Sequence, residues 1–350
     1  MVQLPKQESN QFDHLVDYVV KIGEVLGASA SAVFVIHRDR IVTERYFGRH
    51  SHQPEARTVQ ADSRFNVASV RKSYLGLAIA LAIHDGNIHG IDDAVADYFP
   101  ELDPNVLDGT TLRHLLTHTH GLGTDEEGKL YRRFAPGTNW EYRGENNVLL
   151  TKLYEKVTGT TVADTMRRRV FAPLQMNETE WQTEPQEDMV MVIEDAAKPA
   201  VHKLGTNRNG GENQINLYVS ARELAYWGYL NLKRGKIGEK QIVPAVAVEM
   251  STSLHSPSME NKDLPQNGFY WFVKELPAKR TEIGDNVPAG SFQMLGYSGA
   301  VVLVVPQHEL VAVRMYNRWG SPQGYDYLQD IRTFGDEVMK GVAHGIPLQR

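Results

Sequence analysis

The 350-residue sequence contains no cysteine. That absence removes disulfides, thiol nucleophiles and cysteine-ligated metals together, and leaves the redox compartment open. A basic excess is missing too: 43 acidic residues against 37 basic ones give a formal net charge of -6, with no basic block. This balance argues against a nucleic-acid partner. Long hydrophobic runs are also lacking. The N-terminus, MVQLPKQESNQFDHLVDYVV, has neither a basic start nor an apolar core, and no uninterrupted apolar run reaches membrane-spanning length. These features predict a soluble chain with no membrane span, cytoplasmic as it stands unless a leader preceded Met1. What is present is ordinary for a globular protein of one large domain or two: 41% hydrophobic and 23% charged residues.

From Asn10 to Leu26 the apolar residues Phe12, Leu15, Val16, Val19, Val20, Ile22, Val25 and Leu26 recur at helical spacing, and Gly27 ends the run. SAVFVIH and RIVTERYFG flank the polar connection Arg38-Asp39-Arg40 and predict a hairpin. The far end mirrors this pattern with the strand-like runs GFYWFVKEL, SFQMLGY, AVVLVVPQ and ELVAVRMYN, followed by a closing helix from Tyr325 to Met339. Residues 69–250 read as largely helical, with Gly and Pro punctuation at Ala135-Pro136-Gly137 and Ala172-Pro173. The expected class is therefore α+β. Residues 1–68 and 251–350 together form an antiparallel sheet flanked by terminal helices, and residues 69–250 form a mainly helical inserted region. A ligand cleft is expected between the two.

The segment FNVASVRK, Phe65 to Lys72, runs into the apolar stretch YLGLAIALAI, Tyr74 to Ile83. Positions three apart share a helix face, so the ammonium of Lys72 can reach the hydroxyl of Ser69. A helix apolar on nearly every side is buried, and burial disfavours the charged lysine, which lets it accept the serine proton. The N-terminus of the helix supplies N–H donors for a developing oxyanion. Read alone, Ser-x-x-Lys also fits a surface N-cap serine; the apolar run after it favours catalysis.

TTLRHLLTHTHGL (Thr110 to Leu122), PGTNWEYRGENNVLLTKLYEKVTG (Pro136 to Gly159) and VSARELAYWGYLNLKRGKIGEKQIVP (Val219 to Pro244) follow in order. With Ser-Val-Arg-Lys at Ser69 to Lys72, the chain resembles the serine β-lactamase and penicillin-binding-protein superfamily, closest to class C enzymes and their esterase and D-peptidase relatives. The resemblance spans roughly residues 29 to 317. It implies the fold of that superfamily, no cofactor and no metal, and a small-molecule ester, amide or peptide substrate. It makes Ser69 the acylated nucleophile, Lys72 its base partner and Tyr142 the tyrosine of the Tyr-x-Asn motif. The backbone N–H groups of Ser69 and Ala300 would form the oxyanion hole, and Asn146 and His120 would line the substrate pocket.

Two positions depart from the family pattern. Gly144 stands where asparagine is usual and offers no amide, so Glu145 or Asn146 compensates or substrate recognition differs. The third motif, Lys-Thr-Gly or His-x-Gly in relatives, is read as Tyr297-Ser298-Gly299, without the basic residue. A carboxylate-bearing substrate would then be held less firmly, which shifts the expected substrate toward neutral esters or amides. Two rival functions remain. His114, His118 and His120 near Asp125 have a spacing that can ligate zinc, as in a metal-dependent hydrolase. Alternatively, the altered motifs leave a catalytically weak penicillin-binding or receptor-type protein of the same fold.

Overall fold

Arg38 and Asp39 both adopt left-handed backbone (φ 50° and 60°), the conformation of a tight hairpin turn. They join β1 (Ala30–His37) to β2 (Arg40–Gly48). The computed structural model describes residues 4–7, 9–195, 197–211 and 214–344. From the C-terminal part come β3 (Phe272–Lys274), β4 (Ser291–Leu295), β5 (Val301–Val305) and β6 (Leu310–Tyr316). The sheet order is β3-β4-β5-β6-β1-β2, antiparallel throughout. β6 pairs with β1 from Ser31↔Tyr316 to His37↔Leu310, so one sheet is built from both ends of the chain, as the sequence predicts.

Period-two alternation divides the core. Val33 and Val35 face one side of the sheet, where α1 (Asp13–Leu26) and the closing α5 (Tyr327–His344) lie. Phe34 and Ile36 face the other, toward α2 (Arg71–His84) and α4 (Ala221–Leu232). α2 is buried from Arg71 to Ala82, which explains why it carries no polar stripe. Gly76 lets it approach the loop at Phe269; a Cβ there would stand 2.5 Å from the Phe269 carbonyl oxygen. Trp227 of α4 stacks on Tyr74 at 4.1 Å and donates its indole N–H to the Ser73 hydroxyl (2.9 Å), locking the first turn of α2.

The middle of the chain contains more strand than expected. Leu122–Thr124 pairs with Leu130–Arg132, and Arg64–Asn66, Leu217–Ser220 and Thr179–Trp181 form a separate three-stranded sheet. Runs of three or four residues are too short for periodicity to reveal. No helix among the described residues is long and apolar enough to cross a membrane.

Candidate active site

The small sheet feeds directly into the Ser-x-x-Lys segment. Asn66, on its first strand, accepts the backbone N–H of Ala68 (2.9 Å) and donates to the Ile215 carbonyl (2.8 Å). These contacts hold Ala68 at φ +46°, a left-handed geometry that costs an alanine about 1–2 kcal/mol. The chain then turns sharply through the 3-10 turn Ala68–Val70 into α2. Nothing in the alanine itself announced this strain; its signal lies in Asn66, two residues earlier.

Lys72 is 4% exposed and donates to the Tyr142 hydroxyl at 2.8 Å, and the Ser69 hydroxyl adds a hydrogen bond to the same oxygen. Ser69 and Lys72, one helical turn apart, therefore meet a phenol 70 residues further on. Burial pushes the Lys72 ammonium below its ordinary value; the phenol opposes that shift and Arg71 reinforces it. For Tyr142, burial alone would raise the pKa, but Lys72, the Ser69 hydrogen bond and Arg71 outweigh it, so the phenol is held below its ordinary value. Tyr142 as a residue is 41% exposed, with its hydroxyl turned to Lys72. Arg71, 9% exposed, donates to the Ala68 carbonyl (3.2 Å) and is itself depressed by burial, with Tyr142 and Tyr270 opposing.

The Tyr142 ring is positioned by neighbours. His118, at φ +59°, stacks on it at 4.5 Å, and Trp140 packs against both rings while donating to Asn267 (2.8 Å). Asn146 is fully buried, donates to the Leu115 carbonyl (2.8 Å) and touches His118 Nδ1 at 3.1 Å. Glu145 is taken by Arg143 at 3.0 Å. Neither residue replaces the amide that Gly144, at the N-cap of α3 (Glu145–Thr158), does not supply. His120, expected in the substrate pocket, is 1% exposed; its Nδ1 accepts the Leu122 N–H (3.0 Å). Asn146 and His120 thus support the loop around Tyr142 from inside rather than facing the cleft.

The zinc reading loses its geometry. His114 Nδ1 closes a capping box with Thr111, the Nδ1 atoms of His118 and His120 are engaged as above, and among the described residues no cluster of three or more His, Asp or Glu side chains is disposed to hold a metal ion.

The stretch around Tyr297-Ser298-Gly299 brings a different glycine to the Ser69 turn. β3 pairs with β4 only as far as Gln293, so Met294 and Leu295, both buried, have no β3 partner. Gly296 abuts the Ala68–Val70 turn: a Cβ there would stand 2.3 Å from the Val67 carbonyl oxygen. Gly299, at φ +86°, instead backs onto the Tyr316 ring, and the Ala300 carbonyl accepts the Gly296 N–H (2.8 Å) inside the turn. Tyr297 is 60% exposed and leans edge-on to Trp319, while Ser298 is fully buried. Two positions before Gly296 stands Met294, buried and apolar, so no basic residue lies there either.

With this geometry, the sequence matches the Beta-lactamase family over residues 12–333. The chain belongs to that family. It is 48% identical over 338 residues to an uncharacterized protein of Alkalihalophilus pseudofirmus, covering 97% of this chain and 98% of that one. It is 26% identical over 286 residues to the beta-lactamase of Escherichia coli, 76% of this chain and 71% of the other. Among solved structures, the fold matches EstCE1, described as a hydrolase with promiscuous acyltransferase activity, with a TM-score of 0.72 at 19% identity, covering 93% of this chain and 98% of that one. The family's β-lactamase and penicillin-binding-protein fold accounts for the sheet made from both termini and for the buried helix carrying Ser-x-x-Lys.

Proposed function

We propose that this family member is a serine hydrolase that cleaves an ester or amide through a covalent acyl-enzyme on Ser69, without a cofactor. The observation that carries the reading is the convergence of Ser69 and the buried Lys72 on the Tyr142 hydroxyl, 2.8 Å from the ammonium nitrogen. Lys72 stabilises the Tyr142 phenolate, which takes the Ser69 proton as Oγ attacks the carbonyl carbon. The oxyanion of the tetrahedral intermediate accepts from the backbone N–H groups of Ser69 and Tyr297, the residue after Gly296; Tyr297 replaces Ala300 in this role. Collapse breaks the ester or amide bond, and Tyr142 returns its proton to the leaving alkoxide or amine. A water then attacks the acyl carbon and gives its proton to Tyr142, which passes it to Ser69 Oγ as the acyl C–Oγ bond breaks and the acid departs.

Met294 two positions before Gly296, with no cation there, favours a neutral ester or amide over a substrate anchored by a carboxylate. Intact-mass measurement with a fluorophosphonate tests the nucleophile: one adduct on the native chain and none on Ser69→Ala is expected. Equal labelling of both would overturn it. Acyl mass from an ester that forms and never clears would favour the slow, receptor-type reading.

A further inference from the structure

A cavity of about 450 Å³ opens at the small three-stranded sheet, and none of Ser69, Lys72 and Tyr142 lines it. Phe171, Ala172 and Met176 give it an apolar wall, and its charged lining is Arg64, Arg167 and Arg208 against Glu180. The hydrogen bonds show which of these cations can still take a ligand. Arg167 is saturated: Glu180 accepts from it twice (3.0 and 2.7 Å), Asp164 once (2.7 Å) and the Arg208 carbonyl once (2.6 Å). Arg64, 7% exposed, uses only Nη2, on Asp188. Its Nε is buried with no acceptor, and its Nη1 makes no bond among the described residues.

Two more lining groups are unengaged. The Arg208 side chain is exposed and has no hydrogen bond or ion pair among the described residues, while its backbone is fixed by the Arg167 bond and by the Ala163 N–H donating to the Asn209 carbonyl (3.2 Å). Gln182, on the same lining, is 2% exposed, and its side-chain amide has no partner among the described residues. Polar groups this deep are ordinarily hydrogen-bonded, because leaving them unmet destabilises the fold.

We propose that this cavity binds a small organic oxyanion, a carboxylate or phosphate on an apolar body, whose head is gripped by Arg208, Arg64 Nη1 and the Gln182 amide. A guanidinium suits such a head because its planar N–H groups match two oxygens at once. The volume falls in the range of small-molecule sites, and the wall of Phe171, Ala172 and Met176 suits a carbon body. The site is independent of the acyl-enzyme reading.

Isothermal titration calorimetry with benzoate, phenyl phosphate and neutral benzamide compares three heads on one ring. The native chain should bind at least one of the two anions about ten-fold or more tightly than benzamide, the worth of one hydrogen bond to a charged group. Preference for benzoate assigns a carboxylate head, preference for phenyl phosphate a phosphate head, and either supports the site. Arg64→Lys should weaken the preferred anion by about ten-fold. Arg208→Glu, at an exposed position that does not disturb packing, should abolish the preference, and Ser69→Ala should bind as the native chain does. Anions bound no better than benzamide, or a preference unchanged in Arg208→Glu, overturns the site. Binding lost in Ser69→Ala places the ligand in the catalytic cleft and overturns it as well.

Discussion

Two buried cations on opposite sides of the sheet are treated in opposite ways. Arg314, on β6 beneath α5, is 1% exposed and makes two hydrogen bonds to Asp330, one of 2.9 Å; Asp330 also accepts from the Tyr18 hydroxyl at 2.7 Å. Burial alone would lower the guanidinium, but the carboxylate more than reverses it, and Arg314 ends above its ordinary value. Lys72, 4% exposed, is given a phenol and a neighbouring arginine but no carboxylate, and ends below its ordinary value. A full counter-charge fixes a buried cation as a strut, whereas a titratable partner leaves the proton free to move.

The comparison breaks most visibly at Ser69. Ser69→Ala should reduce ester turnover to background and abolish the covalent adduct while the thermal transition stays within a few degrees, because deleting one hydroxyl leaves the packing of α2 untouched. Turnover in this variant near the native rate would show that the reactive side of the comparison has been placed wrongly. Lys72→Met should come next, slowing acylation by about 10³-fold, the range for a general-base partner. Single-turnover acylation kinetics read this directly.

The strut should respond in the other currency. Asp330→Asn leaves Arg314 buried without its counter-charge and should cost about 3–5 kcal/mol in chemical denaturation, with kcat of the folded fraction retained. The sign with pH follows. Asp330 is depressed because the Arg314 pair outweighs burial, so its contribution is full above its ordinary value of 3.8 and is lost as pH falls through the depressed folded value. The stability gap between native and Asp330→Asn should therefore close on acidification and be constant from pH 5 upward.

How much of this contrast the sequence reveals depends on the range of the interaction that decides it. The Arg38-Asp39 hairpin, the terminal strands and the buried α2 are local patterns, and each forms where its periodicity or turn chemistry places it. The meeting of Ser69, Lys72 and Tyr142 was legible only through the order of motifs, since 70 residues separate Lys72 from Tyr142. Gly-Tyr-Ser-Gly carries two glycines three apart, both followed by residues compatible with a strand, so the sequence alone does not decide which one faces Ser69. Only the contact of Gly296 with the Val67 carbonyl distinguishes them, and that contact is non-local. Asn146 and His120 were misplaced for a related reason: a polar residue near a catalytic motif reads as substrate-facing until its inward partners, Leu115 and Leu122, are known.

The smallest expected effect sharpens the comparison most, because it requires a loss of function to stabilise the fold. Lys72 has a depressed pKa, so the native state binds its proton less tightly than the unfolded chain does. Holding that proton in the folded state is a cost, full below the depressed folded value and relieved as pH rises from there toward the ordinary 10.5. Lys72→Met keeps a similar stem, removes the cost and leaves the Tyr142 hydroxyl with its Ser69 hydrogen bond. It should raise stability by about 1 kcal/mol at pH 7, in the range found when a destabilised active-site group is replaced by an apolar one. The gain should shrink as pH approaches 10, because the native lysine then loses its proton in both states. A destabilised Lys72→Met, or a gain that does not vary with pH, would mean that Lys72 is a strut like Arg314 and that the phenol serves it as a full counter-charge.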